Sequence, residues 1–342
     1  MRPLARLRYR SGLLRRVTQL LMGVWVGGLV ACSPACTPPE AKSPGTDEPR
    51  GPKEDGGSKR SGPGVGQKAA AIAEHEKKRS ELPDGDMIME APGVDIGGLS
   101  EAQRGVFFQI INTEPSACDK PHSMARSLKD DPDCHDSKLV AQFVSDALGS
   151  GAATSAVKQA VPEVVAALRP REINTEGRPV YGSEQAPVTV VVFADFQCPH
   201  CRAEAPVLRK AIDSFRGRAK LVYKHFTITN HDRAKAAAIA SEAALEQGTA
   251  KFWKMHDLIF ENQMDLSDEQ LYSFAEQIGL DMAKFKASYT AKKGKAVVEA
   301  DKAEGEELGI GGTPAVFVNG REVIPALFGG SVTAWIDDAL KR

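Results

Sequence analysis

The sequence predicts an α/β domain in its C-terminal half, preceded by a small all-α module and a disordered tether. Three observations predict it. The continuous β-branched stretch from Val188 to Ala194 has the composition of a central strand buried on both faces. Residues 315–318 and 321–324 flank Asn319-Gly320, the dipeptide favoured in a type I′ hairpin turn. Between a second strand candidate at residues 221–226 and that hairpin lie about 80 residues of helical pattern.

The chain opens on an export signal. Arg2, Arg6, Arg8, Arg10, Arg15 and Arg16 are the only charged side chains among the first 31 residues, and residues 17–31 are apolar apart from Thr18 and Gln19. At ~1.5 Å per residue that run makes roughly 22 Å of helix, short for a ~30 Å hydrocarbon core but right for a cleaved signal. It ends Leu29-Val30-Ala31-Cys32, which resembles a bacterial lipobox. The resemblance implies that residues 1–31 are removed, and that Cys32 takes a diacylglycerol and holds the protein to a lipid bilayer on the periplasmic side. Ser33, where Asp would direct inner-membrane retention, implies outer-membrane sorting in a Gram-negative source. Residues 33–68 hold seven Pro, seven Gly, no aromatic residue and only Val65 as a large aliphatic. Such a stretch buries too little to offset its chain entropy, so residues 32–95 are expected to be the lipidated Cys and a disordered linker.

Charge narrows the function. The chain has 44 basic and 45 acidic residues; without the first 31 the balance is 38 against 45, or −7. A mildly acidic mature protein lacks the basic footprint of a nucleic-acid binder, and no nucleic-acid partner is expected. At 42% hydrophobic the chain can build a substantial core.

Residues 96–170 predict the helical module. Ser100 to Gln103 form a capping-box pattern, followed by Val106, Phe107, Ile110 and Ile111 at helical spacing. A second helix is expected after Ser137, with Leu139, Val140, Phe143, Val144 and Leu148 on one face and Gly149 ending it. A third is expected over residues 154–168, kinked at Pro162. Cys118 and Cys134 lie in a charged, turn-rich stretch with His122 and His135. In an oxidising compartment a structural disulfide between them is the favoured reading; a Cys–His metal site and a second redox pair are the alternatives.

Residues 171–342 carry the chemistry, with a helical insertion expected at about 230–305. Ser267 to Gln270 form a second capping-box pattern, Gly248 and Gly279 punctuate the helices, and a last helix starts near Ser331. Cys198-Pro199-His200-Cys201 stands where the strand at 188–194 turns into a helix. Two intervening residues bring the sulfurs within reach of a reversible disulfide. Cys198, expected to be exposed at the helix N-terminus, has its thiolate favoured by the helix dipole and free N–H groups. A protonated His200 would add positive charge. A zinc site would need a second ligand pair, and the chain has no other Cys-x-x-Cys; c-type haem attachment would need His where Arg202 stands. No metal or organic cofactor is implied, because the redox group is the Cys198–Cys201 disulfide itself.

These motifs resemble, in order, those of the DsbA-type disulfide oxidoreductases of the thioredoxin superfamily, in the branch with a helical insertion. The matching segments are residues 190–201 (Val-Val-Val-Phe-Ala-Asp-Phe-Gln-Cys-Pro-His-Cys), 223–226 (Tyr-Lys-His-Phe), 247–248 (Gln-Gly), 251–256 (Lys-Phe-Trp-Lys-Met-His) and 308–320 (Leu-Gly-Ile-Gly-Gly-Thr-Pro-Ala-Val-Phe-Val-Asn-Gly). The resemblance implies a thioredoxin fold from residue 187 onward. It makes Cys198, with Pro199 and His200, the attacking and attacked end of the site, and Cys201 the resolving thiol. It makes Thr313-Pro314 a cis-proline dipeptide that binds an extended substrate. It also implies unfolded or dithiol-containing protein substrates and a membrane redox partner that resets the disulfide. Rival activities are a reductase or isomerase, and a tethered peptide-binding or chaperone module without turnover. His231, Trp253 and His256 match family positions too, where core packing accounts for the aromatic positions better than catalysis. One position departs. Many superfamily members bury an acid six residues before the first active-site Cys, and Val192 stands there. Asp195, nearer the cysteines, is expected to be merely solvated, so the proton relay has no assigned residue.

Overall fold

The computed structural model describes residues 66–83 and 85–342. The export signal, Cys32, Cys36 and most of the expected tether lie outside the described residues. Among the described residues five helices precede the sheet: α1 (Gly66–Ser80), α2 (Glu101–Thr113), α3 (Met124–Asp130), α4 (His135–Gly149) and α5 (Thr154–Leu168).

Helix α1 corrects the expected linker of residues 32–95. Its sequence is rich in Ala and charge with almost no large apolar side chain, so composition gives no sign of burial. What orders it is tertiary. His75 is buried with Nε2 2.9 Å from Glu114 Oε2, and Arg79 Nη1 takes the other carboxylate oxygen at 3.3 Å. Beyond α5, Arg169 Nη1 donates to Glu74 Oε2 at 2.6 Å.

Helix α2 begins with the full capping box: Ser100 Oγ accepts from Gln103 N, and Gln103 Oε1 accepts from Ser100 N. At Ser267 only half of the second box forms, because the Ser267 N–H is taken by Asp265 Oδ1 at 3.1 Å. The seven-residue α3 is too short to show a period in sequence, and α4 starts at His135 rather than after Ser137. Pro162 sits inside one continuous helix. Phe107, Ile110, Ile111, Val140, Val144 and Val161 fill the module's core. Cys118 and Cys134 are joined by a disulfide, with S–S 2.05 Å and Cα–Cα 5.9 Å.

Five strands follow, β1 (Val180–Gly182), β2 (Val188–Ala194), β3 (Ala219–His225), β4 (Ala315–Val318) and β5 (Arg321–Glu322), in the sheet order β1-β3-β2-β4-β5. β2 and β3 are parallel and linked by α6 (Pro199–Ser214); the other pairs are antiparallel. The uninterrupted apolar character of β2 has a simple cause. Val190, Val192 and Ala194 enter one core cluster while Val191 and Phe193 enter the other, so both faces are buried. At the β4–β5 turn Asn319 and Gly320 both have positive φ, 46° and 79°, as the expected turn requires.

The insertion consists of α7 (Ala234–Leu245), α8 (Thr249–Glu261), α9 (Asp268–Gln277), α10 (Met282–Thr290) and α11 (Lys295–Glu307). Buried charges tie it to β3. Lys224 Nζ lies 3.0 Å from Asp301 Oδ1 and also bonds Glu304, while Arg178 Nη1 stands 3.3 Å from both Glu242 and Asp301. The last helix, α12 (Val332–Ala339), meets the N-terminal module. His135 Nε2 is 2.6 Å from Asp338 Oδ1, and Arg321 Nη1 is 2.9 Å from Asp136 Oδ1. The described part of the chain is thus one compact unit.

Candidate active site

Central strand β2 ends at Ala194, three residues turn, and Cys198 becomes the N-cap of α6. Pro199 fits the first helical position because its missing N–H would have no intrahelical acceptor there. The cap makes no side-chain hydrogen bond. The first-turn N–H groups of α6 therefore converge on the Cys198 end of the pair. Pro199 and His200 are both exposed on that turn.

The second wall is the loop before β4, where the Thr313–Pro314 peptide bond is cis. Cys198 Sγ donates to Thr313 O at 3.3 Å. Four of the residues singled out from sequence, Cys198, Cys201, Thr313 and Pro314, are thus brought together. Exposure corrects one expectation: Cys198 is only 6% exposed, against 2% for Cys201. The thiols still differ in setting. Cys201 Sγ accepts from Asp195 N at 3.5 Å, yet burial outweighs that bond and pushes its thiol up to about 12.

Asp195 is not solvated. It is 1% exposed, and its carboxylate accepts from Gln197 N and Ile228 N, both at 2.6 Å. His231 Nδ1 approaches it to 3.0 Å. Asp195 therefore ties the turn before Cys198 to the segment after β3. Trp253 and His256 sit in an aromatic cluster with Phe196, Tyr223 and Phe260, and Trp253 Nε1 donates to Val180 O at 2.9 Å.

Sequence reasoning missed two contributors. Gln263, between α8 and α9, donates from Nε2 to Phe196 O at 2.8 Å and Cys198 O at 2.9 Å, clamping the catalytic turn. Glu204, one turn beyond Cys201, lines a small cavity with Cys201, Tyr223 and His256. Neither has a local motif to announce it.

A vicinal cysteine pair at the start of a helix, fed by a central strand and faced by a cis-proline loop, defines a protein of the thioredoxin class. The family model described as thioredoxin matches residues 174–338. The chain is 31% identical over 171 residues to a probable disulfide bond formation protein D of Bacillus cereus, covering 47% of this chain and 78% of that protein. It is 38% identical over 143 residues to the Na(+)/H(+) antiporter NhaA 3 of Salinispora tropica, 42% of this chain but only 22% of the antiporter. This chain thus spans less than a quarter of that relative's length. Among solved structures, oxidised BdbD of Bacillus subtilis aligns at 25% identity and TM-score 0.44, over 49% of this chain and 96% of that one. The chain belongs to the DsbA-type family of the thioredoxin superfamily.

Proposed function

We propose that this chain is an exported, lipid-anchored thiol–disulfide oxidoreductase that oxidises dithiol-containing protein substrates. The observation that carries this reading is the asymmetry of the pair. Cys198 caps α6 beside the cis-proline loop, while Cys201 is buried with its thiol pushed up to about 12. A substrate thiolate attacks Cys198 Sγ of the Cys198–Cys201 disulfide, the S–S bond breaks, and its electron pair leaves on Cys201. The substrate's second thiolate then attacks the mixed disulfide, leaving the substrate oxidised and the enzyme as a dithiol. The redox group is this disulfide, with no further cofactor, and a membrane redox partner returns it to the oxidised form. An extended peptide fits against Thr313 and Pro314 in the manner of an added strand. The arginine-rich start, the apolar run and Leu29-Val30-Ala31-Cys32 support export and lipidation of Cys32, with placement at the outer membrane.

Oxidation of a reduced dithiol peptide by the full chain tests the reading. Replacing both Cys198 and Cys201 by Ser should abolish oxidation and leave peptide binding in place. Oxidation that survives the double replacement would sink the enzyme reading. The reduction potential sets the direction: an oxidase should lie nearer ~−120 mV than the ~−270 mV of a reductase such as thioredoxin.

A further inference from the structure

The proton relay that Val192 cannot supply has a candidate on the other side of Cys201. Behind that sulfur lies a cavity of about 10 Å³, lined by Cys201, Glu204, Tyr223, His256, Val192 and Pro314 among others. Its size is that of a single water. The Tyr223 hydroxyl is buried and has no hydrogen-bond partner among the described residues. Cys201 and Glu204 are three residues apart on α6, so they share a helix face with Cβ atoms about 5–6 Å apart.

We propose that Glu204 is the proton-exchange residue of this active site, passing a proton to and from Cys201 Sγ through a water held by the Tyr223 hydroxyl. The proposal rests on the reading of Cys198–Cys201 as the redox pair. When a substrate thiolate attacks Cys198 Sγ, a new S–S bond joins substrate and Cys198, and the old bond breaks with its electron pair on Cys201. Glu204, as the carboxylic acid, gives its proton to the water while the water gives one to Cys201 Sγ. The products are a Cys201 thiol and a Glu204 carboxylate. When Cys201 instead attacks a mixed disulfide at Cys198, the proton returns along the same path and the substrate leaves as its thiolate.

The chemistry of each group fits its part. Partial burial raises the Glu204 carboxyl above its ordinary value, which favours the protonated form that a proton donor needs. Burial also holds the Tyr223 hydroxyl protonated, which keeps it a hydrogen-bond donor. The other titratable groups nearby are committed or face elsewhere. His256, on α8, is held towards its neutral form by burial and has Nδ1 2.9 Å from Asp257. Asp195, in the β2–α6 turn, is occupied by Gln197 N and Ile228 N. Arg202, Asp257 and Glu261 line the adjoining groove between α6 and α8.

The test is the pH profile of the reaction between the oxidised full chain and dithiothreitol, compared for Glu204→Gln, Glu204→Asp and Tyr223→Phe. A general acid acts only while protonated. Glu204→Gln should therefore slow the reaction about tenfold or more near pH 5, with the deficit shrinking as pH rises through the Glu204 ionisation. Glu204→Asp should recover part of the rate, and Tyr223→Phe should lose part of it on the same acidic limb. A rate equal to the parent's near pH 5, or a slowing constant at all pH values, would overturn the proposal. A second readout stands without turnover. In the Cys198→Ser chain, the pH dependence of Cys201 alkylation reports the Cys201 thiol alone. Glu204→Gln removes a negative charge beside it and should shift that titration downwards. No shift overturns the relay whether or not the parent oxidises dithiols, whereas a parent inert towards dithiothreitol with the shift present overturns only the enzyme reading.

Discussion

Cys198 and Cys201 are nearly equal in exposure, at 6% and 2%, so accessibility alone does not separate them; ionisation does. With the Cys201 thiol pushed up to about 12, almost none of it is thiolate at neutral pH, and the thiolate is the species that reacts with iodoacetamide. In the reduced protein at mildly acidic pH, Cys198 should be alkylated first, with peptide mass spectrometry giving the order. Labelling of Cys201 ahead of Cys198 would reverse the assigned roles. The pair and the Thr313-Pro314 dipeptide were legible in sequence because their chemistry is written in adjacent residues. Gln263, Glu204 and the Tyr223 hydroxyl were not. A glutamine, a glutamate and a tyrosine take on these tasks only through the face that tertiary packing gives them, and spacing does not encode that. The burial of Asp195 is hidden in sequence for the same reason: a carboxylate at a strand end looks solvated until Ile228 N and Gln197 N are folded over it.

The strands and long helices follow from local rules, and the β4–β5 turn shows how tightly. Gly320 has φ 79°, and a Cβ placed there would lie 2.3 Å from Arg171 O. Arg171 N donates to Gly320 O at 2.9 Å, so the turn is also a docking point for the segment entering the sheet domain. Gly320→Ala should destabilise the chain by roughly 1–3 kcal/mol from backbone strain alone, with the backbone clash adding to it. An unchanged denaturant midpoint would show that the turn relaxes freely. Helix α1 is the opposite case, polar in sequence and held by charge. Lys78 and Arg169 hydrogen-bond the Glu74 carboxylate and hold it down to about 2, against an ordinary value of 4.5. A carboxyl lowered in the folded state stabilises it fully above its ordinary value, and loses that contribution as pH falls towards 2. Amide exchange in α1 should therefore quicken between about pH 4.5 and 2 more than in α2. Equal protection of both helices across that range would remove Glu74 as an anchor. Ala-rich, charged sequence gives no period from which such a helix can be recognised, and by composition residues 66–80 resemble the tether before them.

At the scale of the whole molecule, the N-terminal module and the sheet domain share salt bridges but divide the cysteine chemistry. Cys118 and Cys134 bond each other in the module, and Cys198 and Cys201 meet at the start of α6. A crosslink closing a loop of this size contributes about 3 kcal/mol by restricting the unfolded chain. Replacing Cys118 and Cys134 together by Ala should lower the melting temperature and leave dithiol oxidation intact. Loss of oxidation with an unchanged melting temperature would instead give that pair a redox role. The central claim is that the mixed disulfide with substrate forms on Cys198, with Cys201 as the thiol able to resolve it. It is tested most directly with a single-cysteine peptide activated as its mixed disulfide with thionitrobenzoate: Cys198 attacks the peptide sulfur, thionitrobenzoate leaves, and the peptide adduct is weighed. Cys201→Ser should accumulate peptide bound to Cys198, because the thiol that would expel it is gone, while Cys198→Ser should hold none. An adduct on Cys201 in the Cys198→Ser chain, with none on Cys198 in the other, would contradict the account.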